Sequence, residues 1–244
     1  TETRLLPEEL ATYPASYWHR RTSGPGAVLA LLGVEGELPQ LAHHNLMFTS
    51  DWDQNFAQVF GDRPQVPEPA SSYVCKPSAT DPSVAPAGHE NIFVLIPVSP
   101  DAEDGRSVGH GGVDGAGDRA VEEAADRAIA QIAQWAGVPD LPERIRVRRT
   151  IGPADFAAKY HAWRGNALGP GHTLGQSAFL RGSNRSRKVA GLLYAGATTV
   201  PGVGLPMCLI GAENVLKRLR DDPSVGPLPE NALGGSGRRT GPPR

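Results

Sequence analysis

The feature that most constrains the fold of this chain is a glycine-rich turn between an apolar run and an amphipathic helix. It lies within residues 191–220, GLLYAGATTVPGVGLPMCLIGAENVLKRLR. The apolar run at residues 192–195 is predicted to form a short buried strand. Pro206 suits the first helical position, because no backbone N–H is needed there. The apolar residues that follow recur with a helical period, which predicts one buried face; they are Leu205, Leu209, Ala212, Leu216 and Leu219.

The turn is suited to an electron-rich ligand. A helix N-terminus presents unpaired N–H groups and a positive dipole end, which favour an anion or a polarised carbonyl. The turn glycines let a flat ligand approach the backbone. The pattern is not a dinucleotide fingerprint, because Met207 stands where G-x-G-x-x-G requires its third glycine. From the residues alone, a purely structural turn is the more common interpretation, and Arg181, Asn184 and Arg185 either support it or bind phosphate.

Composition excludes several classes of protein. The chain has 244 residues, 39% of them hydrophobic, which is enough for one large domain or two small ones. Its net charge of −2 argues against a general nucleic-acid-binding role. Two cysteines cannot build a disulfide framework and indicate a reducing compartment, so a cytoplasmic location is expected. No apolar run approaches the roughly 20 residues that a membrane-spanning helix needs.

Outside the turn, apolar periodicity predicts short strands and a few helices without regular βαβ alternation, which favours the α+β class. The predicted strands are residues 27–34, 41–49, 71–76, 91–98 and 144–151. The predicted helices are residues 51–60, with Phe56 and Phe60 directed inward, residues 118–136, and a helix that begins at Pro153. The basic strand 144–151 presents either a solvated face or a stripe that faces an anion, and the solvated face is favoured.

No metal site is predicted. His43 and His44 are adjacent in a predicted strand and therefore point to opposite faces, so they cannot both bind one ion. Neither Cys75 nor Cys208 has a nearby partner in the sequence. The Gly-x-Ser-x-Gly elbow of a hydrolase is also absent from the sequence.

Four segments carry a family resemblance: LAHHNLMF, SSYVCKPSATDPSVAPAGHENIFVLIPV, GNALGPGHTLGQSAFLRGSNRS and GLLYAGATTVPGVGLPMCLIGAENV. In this order they resemble the carboxy-terminal half of bacterial phytoene desaturases, the carotenoid dehydrogenase family of amine-oxidase-like flavoenzymes. The resemblance covers residues 27–220, and its most specific part, the last segment, resembles the family's flavin-binding signature. Val200 departs from the histidine typical of that signature. The family's amino-terminal G-x-G-x-x-G unit is missing and the sequence begins at Thr1, so a fragment of a longer protein is expected.

The resemblance implies a two-part fold. An α+β substrate domain, with a mixed sheet and covering helices, is expected at residues 1–188, with a flexible loop at residues 99–117. Residues 189–220 are expected to be the returning strand and helix of an α/β, Rossmann-like FAD-binding domain, and residues 221–244 a disordered tail. The implied activity is desaturation of a phytoene-type carotenoid by hydride transfer to FAD. The alternatives are a carotenoid isomerase or oxidase of the same flavoenzyme group, and a non-catalytic lipid-binding module derived from it.

The same resemblance implies candidate site residues, although it assigns no catalytic residue. FAD is expected to contact the backbone of the turn at Gly196, Ala197, Gly202, Val203, Gly204, Leu205, Pro206 and Met207. The candidate liners of an apolar substrate channel are Met47, Phe93, Leu95 and Phe179. The expected partners are the carotenoid, the amino-terminal half of the enzyme and the inner membrane, to which the protein would bind peripherally from the cytoplasm. No nucleic acid is expected.

Overall fold

A computed structural model describes residues 2–100 and 108–229 of the chain, which divides into two compact units. The first, which we call the sheet unit, comprises Ala15–Thr173. The second, the turn unit, combines Glu2–Pro14 with the chain from Leu174 onward. The first unit ends at Thr173, which lies before the domain boundary predicted after residue 188. The assignment of the two parts to substrate and cofactor stays a prediction.

A five-stranded sheet is the frame of the sheet unit. Its strands are β1 (Gly26–Glu35), β2 (His44–Met47), β3 (Ser72–Cys75), β4 (His89–Val98) and β5 (Ile145–Ile151), in the order β2-β3-β4-β1-β5. The five predicted strands are therefore present, although β2 is shorter than predicted, and the α+β class is confirmed. All four pairs of neighbouring strands are antiparallel, so the sheet is not mixed in direction as predicted.

The described residues form seven α-helices. They are α1 (Glu2–Leu5), α2 (Ala15–His19), α3 (Trp52–Phe60), α4 (Arg119–Trp135), α5 (Leu141–Arg144), α6 (Pro153–Tyr160) and α7 (Leu205–Leu219). The Asp51 side chain caps α3 by accepting a hydrogen bond from the Gln54 N–H at 2.9 Å. Gly137 follows α4 with a φ of 69°, a left-handed conformation that glycine adopts without strain. No helix within the described residues is long and apolar enough to cross a membrane.

Strand alternation places the main core on one face of the sheet. Val74, Val94 and Ala30, from three neighbouring strands, are fully buried there. Helix α4 covers this face with a stripe of small and aliphatic side chains, as its predicted amphipathicity requires. Each fully buried Val or Ile contributes about 1.5–3 kcal/mol relative to exposure. The buried stripe of α4 consists of Val121, Ala124, Ala125, Ala128, Ile129, Ile132 and Ala133.

The half-buried arginine of β5 is paired with carboxylates of α4. Arg148 contacts Asp126 at 2.5 Å and Glu122 at 2.7 Å. Burial would lower the pKa of Arg148, but the hydrogen bonds and charges of Asp126 and Glu122 outweigh it and raise that pKa. Arg146 likewise contacts Glu35. These arginines are committed to ion pairs within the sheet unit, so they do not form a stripe that faces an external anion.

The prediction that Phe56 and Phe60 point inward is wrong, because they are 57% and 48% exposed. With Phe48 and Trp52 they form a row in which successive ring centroids lie 5.1, 6.2 and 6.1 Å apart. We call these four residues the aromatic row. A helical period shows that residues 52, 56 and 60 share a face, but it does not show which face is buried. Here α3 instead buries Asn55, whose Nδ2 donates to the Pro69 carbonyl at 2.9 Å.

Part of the loop predicted to be flexible, residues 101–107, lies outside the described residues. Of the described remainder, residues 108–117 run along the outer edge of β5. There the Asp114 N–H donates to the Arg148 carbonyl at 2.9 Å, and the Thr150 N–H donates to the Gly112 carbonyl at 2.8 Å. This part of the loop is therefore held to the sheet by backbone hydrogen bonds.

Hydrogen bonds, rather than a large apolar core, hold the turn unit together. The buried Glu2 carboxylate accepts from the Tyr13 N–H at 2.6 Å and from the Tyr194 hydroxyl. The Tyr13 hydroxyl in turn accepts from the Ser183 N–H at 2.5 Å. These contacts attach Glu2–Pro14 to the later segment. The buried side chains of the unit include Gln176, Arg181, Asn184, Ser186, Thr199 and Lys217.

Helix α7 confirms the helix predicted after the turn, but two related predictions are wrong. No strand forms at residues 192–195; isolated bridges join Arg185 to Leu193 and Gly182 to Thr199. A strand needs a neighbour to pair with, and the described part of the turn unit contains none.

The predicted buried face of α7 is largely exposed. Leu205, Leu209 and Leu219 are 85%, 72% and 64% exposed, whereas Gly211 and Lys217 are buried. The apolar face of α7 is therefore an unpaired surface among the described residues. Beyond it, residues 221–229 form no helix or strand, and residues 230–244 of the predicted disordered tail lie outside the described residues.

Candidate functional site

The glycine turn has a backbone that side chains would not tolerate. Gly196, Gly202 and Gly204 have φ values of 116°, 137° and 111°. A Cβ atom at Gly196 or Gly204 would meet no atom within 4 Å, so the space beside the backbone is open at both positions. A Cβ atom at Gly202 would instead lie 3.4 Å from the Arg181 side chain. Two of the three glycines thus leave room for a ligand to approach the backbone.

The open space at Gly204 lies beside the N-terminus of α7, where backbone donors are unpaired. The first intrahelical bond runs from the Cys208 N–H to the Gly204 carbonyl at 2.9 Å. Pro206 has no N–H, and among the described residues no acceptor is recorded for the N–H of Val203, Leu205 or Met207. These donors and the positive dipole end are suited to an anion or a carbonyl oxygen.

A buried polar cluster supports the turn from behind. Asn184 is fully buried, and its Nδ2 lies 3.2 Å from Thr199 Oγ1 and 3.0 Å from the Val200 carbonyl. Arg181 donates from Nε to the Ala197 carbonyl at 3.1 Å. Of the two roles considered for Arg181 and Asn184, support of the turn accounts for these contacts, and phosphate binding is not needed to explain them. Asn184 Oδ1 is a buried acceptor with no hydrogen-bond partner in the described structure.

A second candidate surface is the sheet face opposite α4, which is apolar but only half-buried. Leu29 lies opposite Leu95, and Leu31 lies opposite Phe93, across the β1–β4 pair. Tyr73 of β3 pairs with Leu95, and its ring lies 6.1 Å from that of Phe93 in an edge-to-face arrangement. We call these five residues the open sheet face. Such a surface suits a hydrocarbon more than a polar ligand.

The structure brings together two of the four predicted channel residues. Phe93 and Leu95 share the open sheet face, whereas Met47 packs against the main core on the other side of the sheet. Phe179 belongs to the turn unit and is 84% exposed. Sequence reasoning missed Leu29 and Leu31, although alternation within β1 placed them on one face. The sequence does not show that β1 pairs with β4, and this pairing is what brings Leu29 and Leu31 beside Leu95 and Phe93.

A buried ion pair fixes the segment that follows β3. Lys76 Nζ lies 2.7 Å from the Leu38 carbonyl and 3.2 Å from Glu90 Oε1, and the Ser78 hydroxyl donates to Glu90. Burial would raise the pKa of Glu90, but hydrogen bonds from Ser78, the Leu38 N–H and Lys76 outweigh it and lower that pKa. Asp81 accepts from the Ser83 N–H at 2.9 Å, a side-chain-to-backbone bond typical of a turn.

His43 and His44 do not point to opposite faces as predicted. Their ring centroids lie 4.2 Å apart. The physical reason is that β2 begins at His44, so strand alternation does not apply to His43. The two imidazoles instead lie side by side.

Comparison with known proteins finds that the chain is similar to carotenoid desaturases. No protein-family model matches it. It is 42% identical over 221 residues to the carotenoid 3,4-desaturase of Haloarcula japonica, a match that covers 91% of this chain and 42% of the relative. It is 36% identical to the zeta-carotene-forming phytoene desaturase of Myxococcus xanthus, over 88% of this chain and 39% of the relative. A 4,4'-diapophytoene desaturase of Staphylococcus aureus is 31% identical, over 80% of this chain and 38% of that protein. The chain thus spans about two fifths of the length of these relatives.

Proposed function

We propose that this chain, which is a partial phytoene desaturase-like protein, supplies a substrate surface and part of the cofactor site of an FAD-dependent carotenoid desaturase. The observation that carries the proposal is the open N-terminus of α7, with its unpaired donors and glycines. It lies in the segment that resembles the family's flavin-binding signature. The similarity to carotenoid desaturases along most of the chain supports the same conclusion.

The residues of the turn fit the ring system of FAD. The open space at Gly196 and Gly204 admits a flat ring close to the backbone. The N–H groups of Val203, Leu205 and Met207 are donors suited to carbonyl oxygens at a ring edge. Residues 196–207 contain no cationic side chain to pair with a pyrophosphate. We therefore assign the turn to the ring rather than to the phosphates.

When bound, FAD supplies the electron sink that accepts a hydride from the hydrocarbon. The contribution of this chain is electrostatic and positional. The donors at the α7 N-terminus and the helix dipole stabilise negative charge on a carbonyl oxygen placed before them. The open sheet face offers the polyene an apolar surface, because a hydrocarbon has no polar group by which it can be held.

We also propose that the protein docks peripherally on the cytoplasmic side of the inner membrane through the aromatic row. A carotenoid hydrocarbon dissolves in the bilayer, so an enzyme that acts on it needs access to lipid. Phe and Trp side chains insert into the boundary between headgroups and acyl chains. The four rings of the row are between 43% and 57% exposed and lie along one face of α3 and the residues before it.

The function can be tested by supplying the part of the desaturase that the chain does not match. The chain is joined to the part of the Haloarcula japonica enzyme that it does not match and compared with the 244-residue chain alone. We expect the fusion to retain flavin after gel filtration and to lengthen the conjugated system of a phytoene-type carotenoid, seen as a red shift in its absorbance. We expect the chain alone to retain little flavin, because this sequence lacks the family's pyrophosphate-binding unit.

Three outcomes contradict parts of this proposal. Stoichiometric FAD on the 244-residue chain alone would show that the site does not need the other region. A flavin-loaded fusion that changes carotenoid geometry without adding double bonds would favour an isomerase. A fusion that binds carotenoid but no flavin would favour a non-catalytic lipid-binding module.

A further inference from the structure

A cluster of metal-ligand side chains lies on the β2–β3 pair, outside the candidate cofactor site. One ligand atom from each of His43, His44 and Cys75 lies within 4.8 Å of the other two. His44 is exposed, whereas His43 and Cys75 are half-buried, so solvent reaches the cluster. Strand alternation argued against a metal site here, but the side-by-side imidazoles remove that objection.

Backbone pairing brings the three residues together. His44 and Cys75 are direct partners across the antiparallel β2–β3 pair. The Lys76 N–H donates to the His43 carbonyl at 2.8 Å, just before β2 begins. The Cys75 sulfur lies 3.9 Å from His44 Nδ1. The positions of the ligands are thus set by the sheet rather than by a free loop.

Neighbouring hydroxyl groups orient both imidazoles. Thr80 Oγ1 lies 2.6 Å from His43 Nδ1, and the Tyr73 hydroxyl lies 2.7 Å from His44 Nδ1. The rings of His44 and Tyr73 are also stacked, with an interplanar angle of 24°. In metal sites, a hydrogen bond at one ring nitrogen orients the other ring nitrogen toward the ion, so Nε2 of each ring is the ligand atom that this arrangement favours.

We propose that His43, His44 and Cys75 form a binding site for a borderline-soft transition-metal ion, with Zn²⁺ as the principal candidate. Two imidazoles and a thiolate suit Zn²⁺, whereas Ca²⁺ and Mg²⁺ prefer oxygen ligands. Zn²⁺ with three protein ligands keeps a fourth position for water. On binding, a sulfur–zinc bond forms and the Cys75 thiol proton leaves to solvent. The ligand atoms need to close by no more than about 1.5 Å to reach a tetrahedral arrangement.

The site ties the edge strand β2 to its only neighbour in the described sheet. β2 has four residues and lies at the end of the strand order. An ion held by both strands stabilises their pairing, because it binds the folded arrangement more tightly than the unfolded chain. The proposal does not depend on the desaturase activity.

The test titrates the 244-residue chain with Co²⁺ and then displaces it with Zn²⁺. We expect one equivalent of Co²⁺ to give visible bands of tetrahedral intensity and a near-ultraviolet thiolate-to-cobalt band, and Zn²⁺ to abolish both. Cys75→Ser should remove the thiolate band and weaken Zn²⁺ binding by at least about 10-fold. The matched control is Cys208→Ser, which changes the other cysteine, on α7, and should leave both unchanged.

Two further measurements distinguish a loss of metal binding from a loss of folding. Each variant is first compared with the unaltered chain by circular dichroism, and Zn²⁺ should raise the melting temperature of the chain but not that of Cys75→Ser. Tyr73→Phe keeps every ligand and should weaken binding by about 10–100-fold. The proposal is overturned if the thiolate band is absent from the unaltered chain, or if it survives Cys75→Ser and disappears in Cys208→Ser.

Discussion

The two units of the chain differ in the kind of side chain that forms their buried interior. In the sheet unit, aliphatic side chains of β1, β3, β4 and α4 form one buried core. In the turn unit, several large apolar side chains are exposed, including Leu174, Phe179, Leu205 and Leu209, whereas Asn184 and other polar residues are buried. The sheet unit is therefore stabilised mainly by its own apolar contacts, and the turn unit mainly by hydrogen bonds.

This difference indicates different purposes. A buried aliphatic core fixes a scaffold, whereas an exposed apolar helix face beside an open glycine turn leaves surface for other molecules. The proposed cofactor contacts belong to the turn unit, and the proposed hydrocarbon surface is the less buried face of the sheet unit. In each unit, the candidate function lies where packing within that unit is incomplete.

The largest expected effect tests the core side of the comparison. Ile96→Ala removes a fully buried side chain of the sheet unit and should lower the free energy of unfolding by about 2–5 kcal/mol. Leu209→Ala, on the exposed face of α7, should change it by no more than about 0.5 kcal/mol. Denaturant titration followed by circular dichroism measures both. Tryptophan fluorescence reports on the sheet unit, which holds Trp18, Trp52, Trp135 and Trp163. Equal losses of unfolding free energy in the two variants would contradict the proposed difference between the buried core of the sheet unit and the exposed face of α7.

The next largest effect tests the turn as a ligand surface. Gly204→Val places a branched side chain in the open space and on a backbone with a φ of 111°. It should weaken flavin binding by the fusion protein by about 10–100-fold. Gly191→Val is the control, since Gly191 has a positive φ of 75° and open space but lies outside the α7 N-terminus. Equal flavin retention by the two variants would show that the turn does not face the ring.

A smaller effect concerns the charged contacts of the sheet unit. The pKa of Glu90 is below its ordinary value of 4.5 in the folded chain. Its ionised form therefore stabilises the fold above pH 4.5, and this stabilisation is lost as the pH falls through the lowered pKa. Glu90→Gln should cost about 1–2 kcal/mol at neutral pH and make the acid-induced loss less steep.

Fluorescence-detected denaturation between about pH 3 and pH 6 measures this effect. Glu37→Gln, which alters an exposed carboxylate nearby, is the matched control and should preserve the slope. An unchanged slope in Glu90→Gln would show that the Lys76 contact does not depend on charge.

The smallest expected effect tests the aromatic row. The double variant Trp52→Ser and Phe56→Ser should reduce sedimentation with vesicles of mixed zwitterionic and anionic lipid by about 3–10-fold. Tyr160→Ser removes an aromatic side chain that is 73% exposed elsewhere in the sheet unit and should have no effect. Equal losses of vesicle binding in both variants would indicate nonspecific hydrophobic adsorption rather than docking by one face.

Sequence patterns predicted the scaffold well because local rules determine it. The apolar runs at residues 27–34 and 91–98 and the helical periodicity of residues 118–136 were sufficient to predict β1, β4 and α4. The patterns did not predict which apolar surfaces are buried, because burial depends on contacts with other segments of the chain. The apolar residues of α3 and α7 share faces as predicted, yet those faces are exposed in the structure.

The candidate site was predicted in part for the same reason. The turn, its glycines and α7 follow from local signals, and the resemblance gave them a function. The grouping of Leu29 with Leu95, and of His44 with Cys75, depends on strand pairing between distant segments. No pattern within a single segment contains that information.

The glycine-rich segment that pairs with β5, residues 108–117, also bears on the resistance of this protein to aggregation. An outermost strand with free N–H and C=O groups is a template on which a second chain can add a strand. Gly112 and Asp114 occupy those groups on β5. A Cβ atom at Gly111 would lie only 2.1 Å from the Thr150 carbonyl oxygen, so the close approach requires glycine. At the opposite end, β2 is too short to recruit many bonds. The loop and the short strand therefore protect the sheet against edge-to-edge aggregation.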